Sequence, residues 1–316
     1  IAPSFDFGDR PIGIDPNFTQ GTNARVYKFE NVFDPTTPGG GPNTGEIAVE
    51  SGSLTFEAIP VTNENGKIDV WMEKINYDKF TQGAWYDSFA KNIEGNYLNA
   101  TGDALKFYDK LDLVTDVNDL RNDFSQLSGS MYANIAQREQ NINEVFNNAL
   151  DLLQNSGNNT KESVKVNIIT GKGSSKEDTS GVESYDYNTY GVLALREVEQ
   201  TYRHKFGYSL GYTRTDFQMD ETNNEDQADT IQLGLHNKYS INGWDIKNDL
   251  LGRVSFHDVD RSIDWSGGTR SEMNSNYNVY GVSSLNELGK DLEISRNAKV
   301  TPYVGLELGY MMHPSF

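Results

Sequence analysis

From about residue 163 to the end of the chain, apolar and polar residues alternate with a period of two over unusually long segments. In Thr230 to Ile241, Ile231, Leu233, Leu235, Tyr239 and Ile241 share one face with Asn237, while Gln232, Gly234, His236, Lys238 and Ser240 take the other. In Trp244 to His257, Trp244, Ile246, Leu250, Val254 and Phe256 oppose Asp245, Lys247, Asp249, Arg253, Ser255 and His257. Residues 205–212 and 299–310 repeat the pattern, and weaker runs at 164–171, 187–198 and 276–288 bring the expected total to seven strands. Successive side chains of a strand point to opposite faces, so each segment has one apolar and one polar side. A soluble antiparallel sheet shares that pattern. Length separates the two, because these segments run about 12 to 15 residues, against about 5 to 6 for ordinary strands and about 9 to 11 for the embedded part of a membrane-barrel strand.

The connections carry a second, independent signal. Outer-membrane barrels have short turns at one end and longer loops at the other. Here a long polar loop (Lys172 to Glu183) is followed by a short turn near Tyr202, a long acidic loop (Met219 to Gln227), the tight Asn242-Gly243 turn, a long loop (Asp258 to Asn274) and a short turn around Asp291. Asn-Gly between alternating runs is a strong hairpin signal. Tyr239 and Trp244 flank it on the apolar face, where an aromatic girdle belongs. If the first strand starts on the periplasmic side, every loop falls on the expected side.

Ahead of the strands lies helical sequence. Asp103 to Leu113 predicts a short helix. Asp116 to Gln154 has no Pro and one Gly, with Leu120, Phe124, Leu127, Met131, Ile135, Ile142, Val145, Ala149 and Leu153 on one stripe. A continuous helix of about 38 residues would be roughly 57 Å long, enough to cross a bilayer, but its other faces are too polar for lipid. A polar pore would suit it. Gly207, Gly211, Gly234, Gly305 and Gly309 on the polar strand faces would leave room for such a helix.

The N-terminal part differs again. Pro3, Pro11, Pro16, Pro35, Pro38, Pro42 and the run Gly39 to Gly41 predict irregular chain up to about residue 46. Residues 52–59 and 67–72 read as short strands around the turn Asn63 to Gly66, in a β-helix end or a small sandwich. Helical membrane spans are excluded, since no apolar run approaches the roughly 18 residues they need. A formal charge of −19 argues against nucleic acid as a partner. With no Cys there is no disulfide framework, thiolate nucleophile or Cys-ligated zinc. The chain opens on Ile1 with no signal-peptide pattern after it, so it is expected to be one piece of a longer precursor.

The residues at this point resemble a known family. Leu120 to Asn134, with Gln126, Leu127, Ser128, Gly129 and Ala133 at the matching positions, looks like the linker motif of type Va autotransporters. Tyr187 to Gly191 and Trp244 to Asp264 are similar to fusobacterial autotransporter adhesins. The resemblance implies a mainly β fold: a partial antiparallel outer-membrane β-barrel, about seven of about twelve strands, preceded by a long α-helical linker and the β-rich end of a passenger. The corresponding domains are 1–101 for the passenger end, 102–160 for the linker through the pore and 161–316 for the first part of the barrel. It implies an outer-membrane anchor and translocation unit of a type V secreted surface protein, an adhesin. Implied partners are outer-membrane lipid, the barrel-assembly machinery, periplasmic chaperones and a host or bacterial surface ligand of unspecified identity. Seven antiparallel strands do not close a wall of that size, so the chain is expected to be truncated at both ends. Phe316, with Leu308 and Tyr310 before it, could imitate the terminal aromatic signal of a last strand. Pro314 speaks against it.

Catalytic patterns are absent: the four histidines are scattered and there is no HExxH, GxSxG, P-loop or Cys site. A glycosidase using paired carboxylates has many candidate acids and no geometry. No cofactor and no metal are expected; Asp220 to Asp229 reads as a solvated acidic loop rather than a Ca²⁺ site. Asn147-Asn148 resembles the dipeptide at which some protease-bearing autotransporters cut themselves, against the plain reading of helix polarity. Arg138, the only cation between Asn122 and Gln154, is expected to meet an inward carboxylate such as Asp245, Asp249 or Glu307. Arg253 lies on the same face. The rival readings are a soluble β-rich binding module and a porin-like barrel.

Overall fold

A computed structural model describes residues 12–14, 23–34, 48–157, 161–177, 179–222, 224–295 and 298–313. The prolines and glycines assigned to irregular chain before residue 46, and Phe316, lie outside the described residues. Two compact units result: 1–130 together with 263–271, and 131–262 together with 272–316.

In the first unit, β1 (Ile12–Ile14) pairs in parallel with β3 (Val49–Ser51), and β2 (Val26–Phe33), β5 (Ile68–Lys74) and β4 (Phe56–Thr62) form an antiparallel sheet in that order. The β4–β5 turn closes where expected. Gly66 takes φ 74° and Asn63 Oδ1 accepts from the N–H groups of Asn65 and Lys67. Helices α1 (Asp78–Thr81), α2 (Asp87–Asn96), α3 (Asp103–Asp112) and α4 (Val117–Leu127) follow. The first two were not expected, and their cause is visible afterwards. Tyr77, Tyr86, Ala90 and Tyr97 are spaced to put one apolar face into a core shared with Tyr108, Leu111, Leu120, Phe124, Ile263 and Trp265. At 264–266 the chain is tied in by backbone-mimicking bonds: Gln126 donates to Asp264 O and accepts from Asp264 N–H (3.0 and 2.8 Å), and Asp123 accepts from Ser266 N–H and O–H (3.0 and 2.8 Å).

The long linker helix is two helices. Asp116 caps α4 by accepting from the N–H groups of Asn118 and Asp119. The helix ends at Leu127, Ser128 caps it, and Gly129 takes φ 76°, the left-handed step that closes a helix and that glycine adopts without strain. After it, α5 (Ile135–Asn155) runs for 21 residues. The Leu-Ser-Gly segment is therefore a stop signal. The apolar stripe is divided between two cores, with Leu120 and Phe124 in the first unit's and Ile135, Ile142, Phe146 and Leu153 in the second's.

The second unit is the expected seven-stranded antiparallel sheet, consecutive in sequence: β6 (Glu162–Ser175), β7 (Tyr185–Thr201), β8 (His204–Met219), β9 (Glu225–Ile241), β10 (Trp244–Asp264), β11 (Arg270–Lys290) and β14 (Tyr303–Met312). Before the last strand stands a small hairpin, β12 (Leu292–Ser295) with β13 (Ala298–Val300), where a short turn around Asp291 was expected. Pro302, lacking an N–H, separates β13 from β14. The expected long loops shrink because the strands run on. The β8–β9 connection is 220–224, so Asp226 is a strand residue rather than a loop residue. At about 3.4 Å per residue a strand of 21 residues reaches about 70 Å, more than twice a hydrocarbon core of about 30 Å.

The sheet is inside-out relative to a soluble one. Ile168, Leu210, Leu233 and Leu250 on the outer face are 77%, 56%, 61% and 51% exposed. On the other face Thr213, Thr215, Thr230, Gln232 and Ser255 are fully buried, with Thr189 to Thr215 and Thr230 to Ser255 hydroxyl contacts of 2.9 Å. Such a surface is stable only where the exposed apolar side meets lipid. Asn242 and Gly243 take φ 51° and 75°, a turn whose hand matches strand twist. Tyr239 and Trp244 stand beside it on the apolar face, Trp244 under Lys290 Nζ at 4.8 Å.

Candidate functional site

What distinguishes the second unit is a single helix seated on the polar face of a sheet. The seat has three parts. In the middle, Ile142, Phe146, Ala149 and Leu150 pack on Leu193, Leu195, Phe217 and Leu251. Two glycines admit the helix. A Cβ on Gly211 would lie 2.6 Å from Phe146 and one on Gly171 3.3 Å from Val145. Of the other glycines expected to make room, Gly207 and Gly234 would collide with their own sheet, and Gly305 and Gly309 have space.

At the N-terminal end of α5, Arg138 is fully buried and pairs with Asp226, while its other amino group donates to Met131 O (2.8 Å). Asp226 also accepts from His257 Nδ1 (2.9 Å) and the Tyr277 hydroxyl (3.1 Å), and the His257 and Tyr277 rings stack 4.4 Å apart. His257 Nε2 bonds Glu139 (2.9 Å), whose other oxygen accepts from Arg253 Nε (3.1 Å). Arg253 reaches Asn143 Oδ1 (2.7 Å), and Asn143 donates to Glu307 (2.8 Å). Arg138 thus meets none of Asp245, Asp249 and Glu307. The reason is register: Arg138 lies in the first turn of α5, about 20 Å of helix from Asp151, so it reaches the start of β9 and not the far end of the sheet.

At the C-terminal end, Gln154 donates to Asp249 (2.9 Å) and Asp151 accepts from Lys247 (2.6 Å). Lys165, on β6, donates to Leu153 O and Ser156 O (2.8 and 2.7 Å) and pairs with Glu197 (2.6 Å). A cation on the last carbonyls of a helix satisfies acceptors that have no partner within it. Asp245 stays within the sheet, with Ser240 and Lys238.

Ser209 Oγ, His236 and Asp249 stand in line at 2.8 Å each, the order of a nucleophile, base and carboxylate relay. Acyl transfer also needs N–H donors aimed at an oxyanion. Ser209 lies opposite Gly234 in the β8–β9 ladder, whose amides serve the sheet. The relay is tied to the helix, where Gln154 Nε2 lies 3.3 Å from His236 and donates to Asp249 (2.9 Å), and Lys247 Nζ lies 3.6 Å from Asp249.

The linker residues Leu120, Gln126, Leu127, Ser128 and Gly129 belong to the first unit and Ala133, exposed, to the second. Asn147 is half-buried with Oδ1 lacking a hydrogen-bond partner, and Asn148 is exposed, both inside the unbroken α5. Sequence reading missed Asp226, Glu139, His257 and Lys165. The signal for Asp226 was present as alternation carried backward from Ile231, which puts 226, 228 and 230 on the polar face. No three-acid or histidine cluster able to hold a metal occurs among the described residues.

Residues 164–316 match the family model of the autotransporter beta-domain, and residues 1–76 that of the BigA beta sandwich domain. No curated protein matches the chain.

Proposed function

From a chain that is a type V autotransporter, with its β-domain as the outer-membrane translocation unit and its passenger at the cell surface, we propose that α5 is the retained anchor of that passenger. The observation that carries this reading is the seat: both ends of α5 are held by charged groups of the sheet, Arg138 on Asp226 and Lys165 on the last carbonyls. A helix held at both ends stays in place after transport and keeps what precedes it attached. A retained passenger acts at the cell surface, and the role read for it there is adhesive binding, with the ligand's identity open. Assembly of so long a strand set, apolar on its outer face, calls for periplasmic chaperones and the barrel-assembly machinery.

The porin-like alternative makes α5 incidental and is separated by conductance. With the barrel wall complete, the wild type should be closed in planar bilayers, and Arg138→Glu, which puts a second carboxylate beside Asp226, should open it. A wild type with full, steady conductance removes the anchor reading. Adhesion is tested separately, by comparing the binding of cells that display the protein to epithelial and bacterial surfaces with that of cells displaying residues 131–316 alone. Equal binding removes the adhesive role.

A further inference from the structure

The first unit contains a buried reactive pair that the anchoring role does not use. Lys74 Nζ, at the end of β5, lies 3.2 Å from Asp112 Oδ1, at the end of α3, and both side chains are fully buried. The ammonium group sits 3.6 Å over the Tyr77 ring and about 5 Å from those of Tyr97 and Phe56. Asp112 Oδ1 accepts from the hydroxyls of Thr55 (2.8 Å) and Tyr77 (2.7 Å), and Oδ2 from that of Tyr97 (2.8 Å). A second carboxylate, Glu94, has Oε2 4.0 Å from Lys74 Nζ. It is held by the Tyr77 N–H (2.9 Å) and by Arg25.

We propose that Lys74 and Asp112 are joined by an intramolecular isopeptide bond that the folded unit forms by itself, with Glu94 as proton carrier. Glu94 moves one proton from Lys74 Nζ to Asp112 Oδ2, leaving a neutral amine beside a neutral carboxylic acid. The amine lone pair attacks Asp112 Cγ, the Nζ–Cγ bond forms, and the carbonyl electron pair moves onto Oδ1, where the Tyr77 and Thr55 hydroxyls already point. Glu94 then takes a second proton from Nζ and delivers it to Oδ2. The Cγ–Oδ2 bond breaks with its electron pair on oxygen, and one water leaves as the carbonyl reforms. An ammonium and a carboxylate become a secondary amide and water, with no oxidant, metal or energy source required.

Four features favour the step. Burial pushes the Lys74 ammonium below its ordinary range, against the opposing pull of Asp112, which brings the nucleophilic amine within reach. Burial likewise raises the Tyr77 and Tyr97 hydroxyls well above theirs, so both stay protonated, Tyr77 donating to the oxyanion that develops on Oδ1 and Tyr97 to the departing Oδ2. The ion pair bears a desolvation cost that the neutral amide escapes, and fixed proximity replaces a bimolecular encounter. The bond would close residues 75–111 into a covalent loop in a chain that has no cysteine to do so.

The inference is independent of the adhesive reading and is tested by intact-mass measurement of the purified full chain. The wild type should be lighter than its sequence by one water, and protease digestion should release a branched peptide joining Lys74 to Asp112. Lys74→Met should restore the full mass, and Glu94→Gln should retain most of the chain at full mass after the same incubation. A Glu94→Gln chain that is fully cross-linked removes Glu94 from the mechanism. A folded wild type at full mass, or a water deficit that survives Lys74→Met, overturns the bond.

Discussion

The two units bury charge in opposite settings. In the first, Lys74 and Asp112 are wrapped by tyrosine rings within a span of 39 residues, inside a core of aromatic and aliphatic side chains. In the second, Arg138, Asp226, His257, Glu139 and Arg253 connect a helix to strands 88 to 118 residues away, in an interior lined by threonine, serine and glutamine. Where apolar surface is directed decides the difference. The first unit keeps its aromatics inside, so a charge there needs a partner at contact. The second turns most of its strand leucines and isoleucines outward, so its interior joins a central apolar patch around Leu193, Leu195, Phe217 and Leu251 to polar surroundings, and charge holds the two ends of the helix.

That contrast can be broken by mutation. Arg138→Met leaves Asp226 buried with only His257 and Tyr277, and should destabilise the second unit by about 3 kcal/mol, read as a lower urea midpoint in detergent while the first unit's own transition stays put. Leu233→Lys places a charge on the outer face. In lipid it should cost about 2–4 kcal/mol near the midplane, measured by folding into vesicles, whereas little change would show that this face meets water. Gly211→Ala pushes a methyl group into Phe146 and should cost about 1–3 kcal/mol, visible as faster heat-induced loss of the folded band on a gel. Equal stability would mean that α5 is not seated as described.

The smallest effect is in the first unit. Burial raises the Asp123 carboxyl above its ordinary 3.8, against the opposing hydrogen bonds from Ser266. The unfolded chain ionises first, so the stability this group contributes is complete below pH 3.8 and is lost as pH rises through the raised value. Asp123→Asn should flatten that part of the pH profile, measured by denaturation of the first unit between pH 3 and pH 7; an unchanged slope removes Asp123 as its source.

Much of the second unit was legible because strand alternation is a local property. Ile231, Leu233 and Leu235 announce one face whatever lies across from them, and Asn242-Gly243 announces its turn by backbone preference alone. The ends of the strands were less legible, since Asp226 and Arg261 look like loop residues until the neighbouring strand supplies their ladder. Helices α1 and α2 were hidden for a related reason: Asn92, Gly95 and Asn96 weaken helix propensity, and only the core around Tyr77 and Phe124 selects the helical form.

The sequence by itself determined that one half of the chain is a set of long two-faced strands preceded by an amphipathic helix, because periodicity and turn chemistry act over a few residues. Tertiary structure decided where that helix stops and what it holds. Gly129 could have been passed through at a modest cost in helix propensity; it became a break because Leu120 and Phe124 have one core to enter and Ile135 and Phe146 another. Arg138 could have met any inward carboxylate. The register between α5 and the sheet, set by packing of Phe146 against Gly211, chose Asp226.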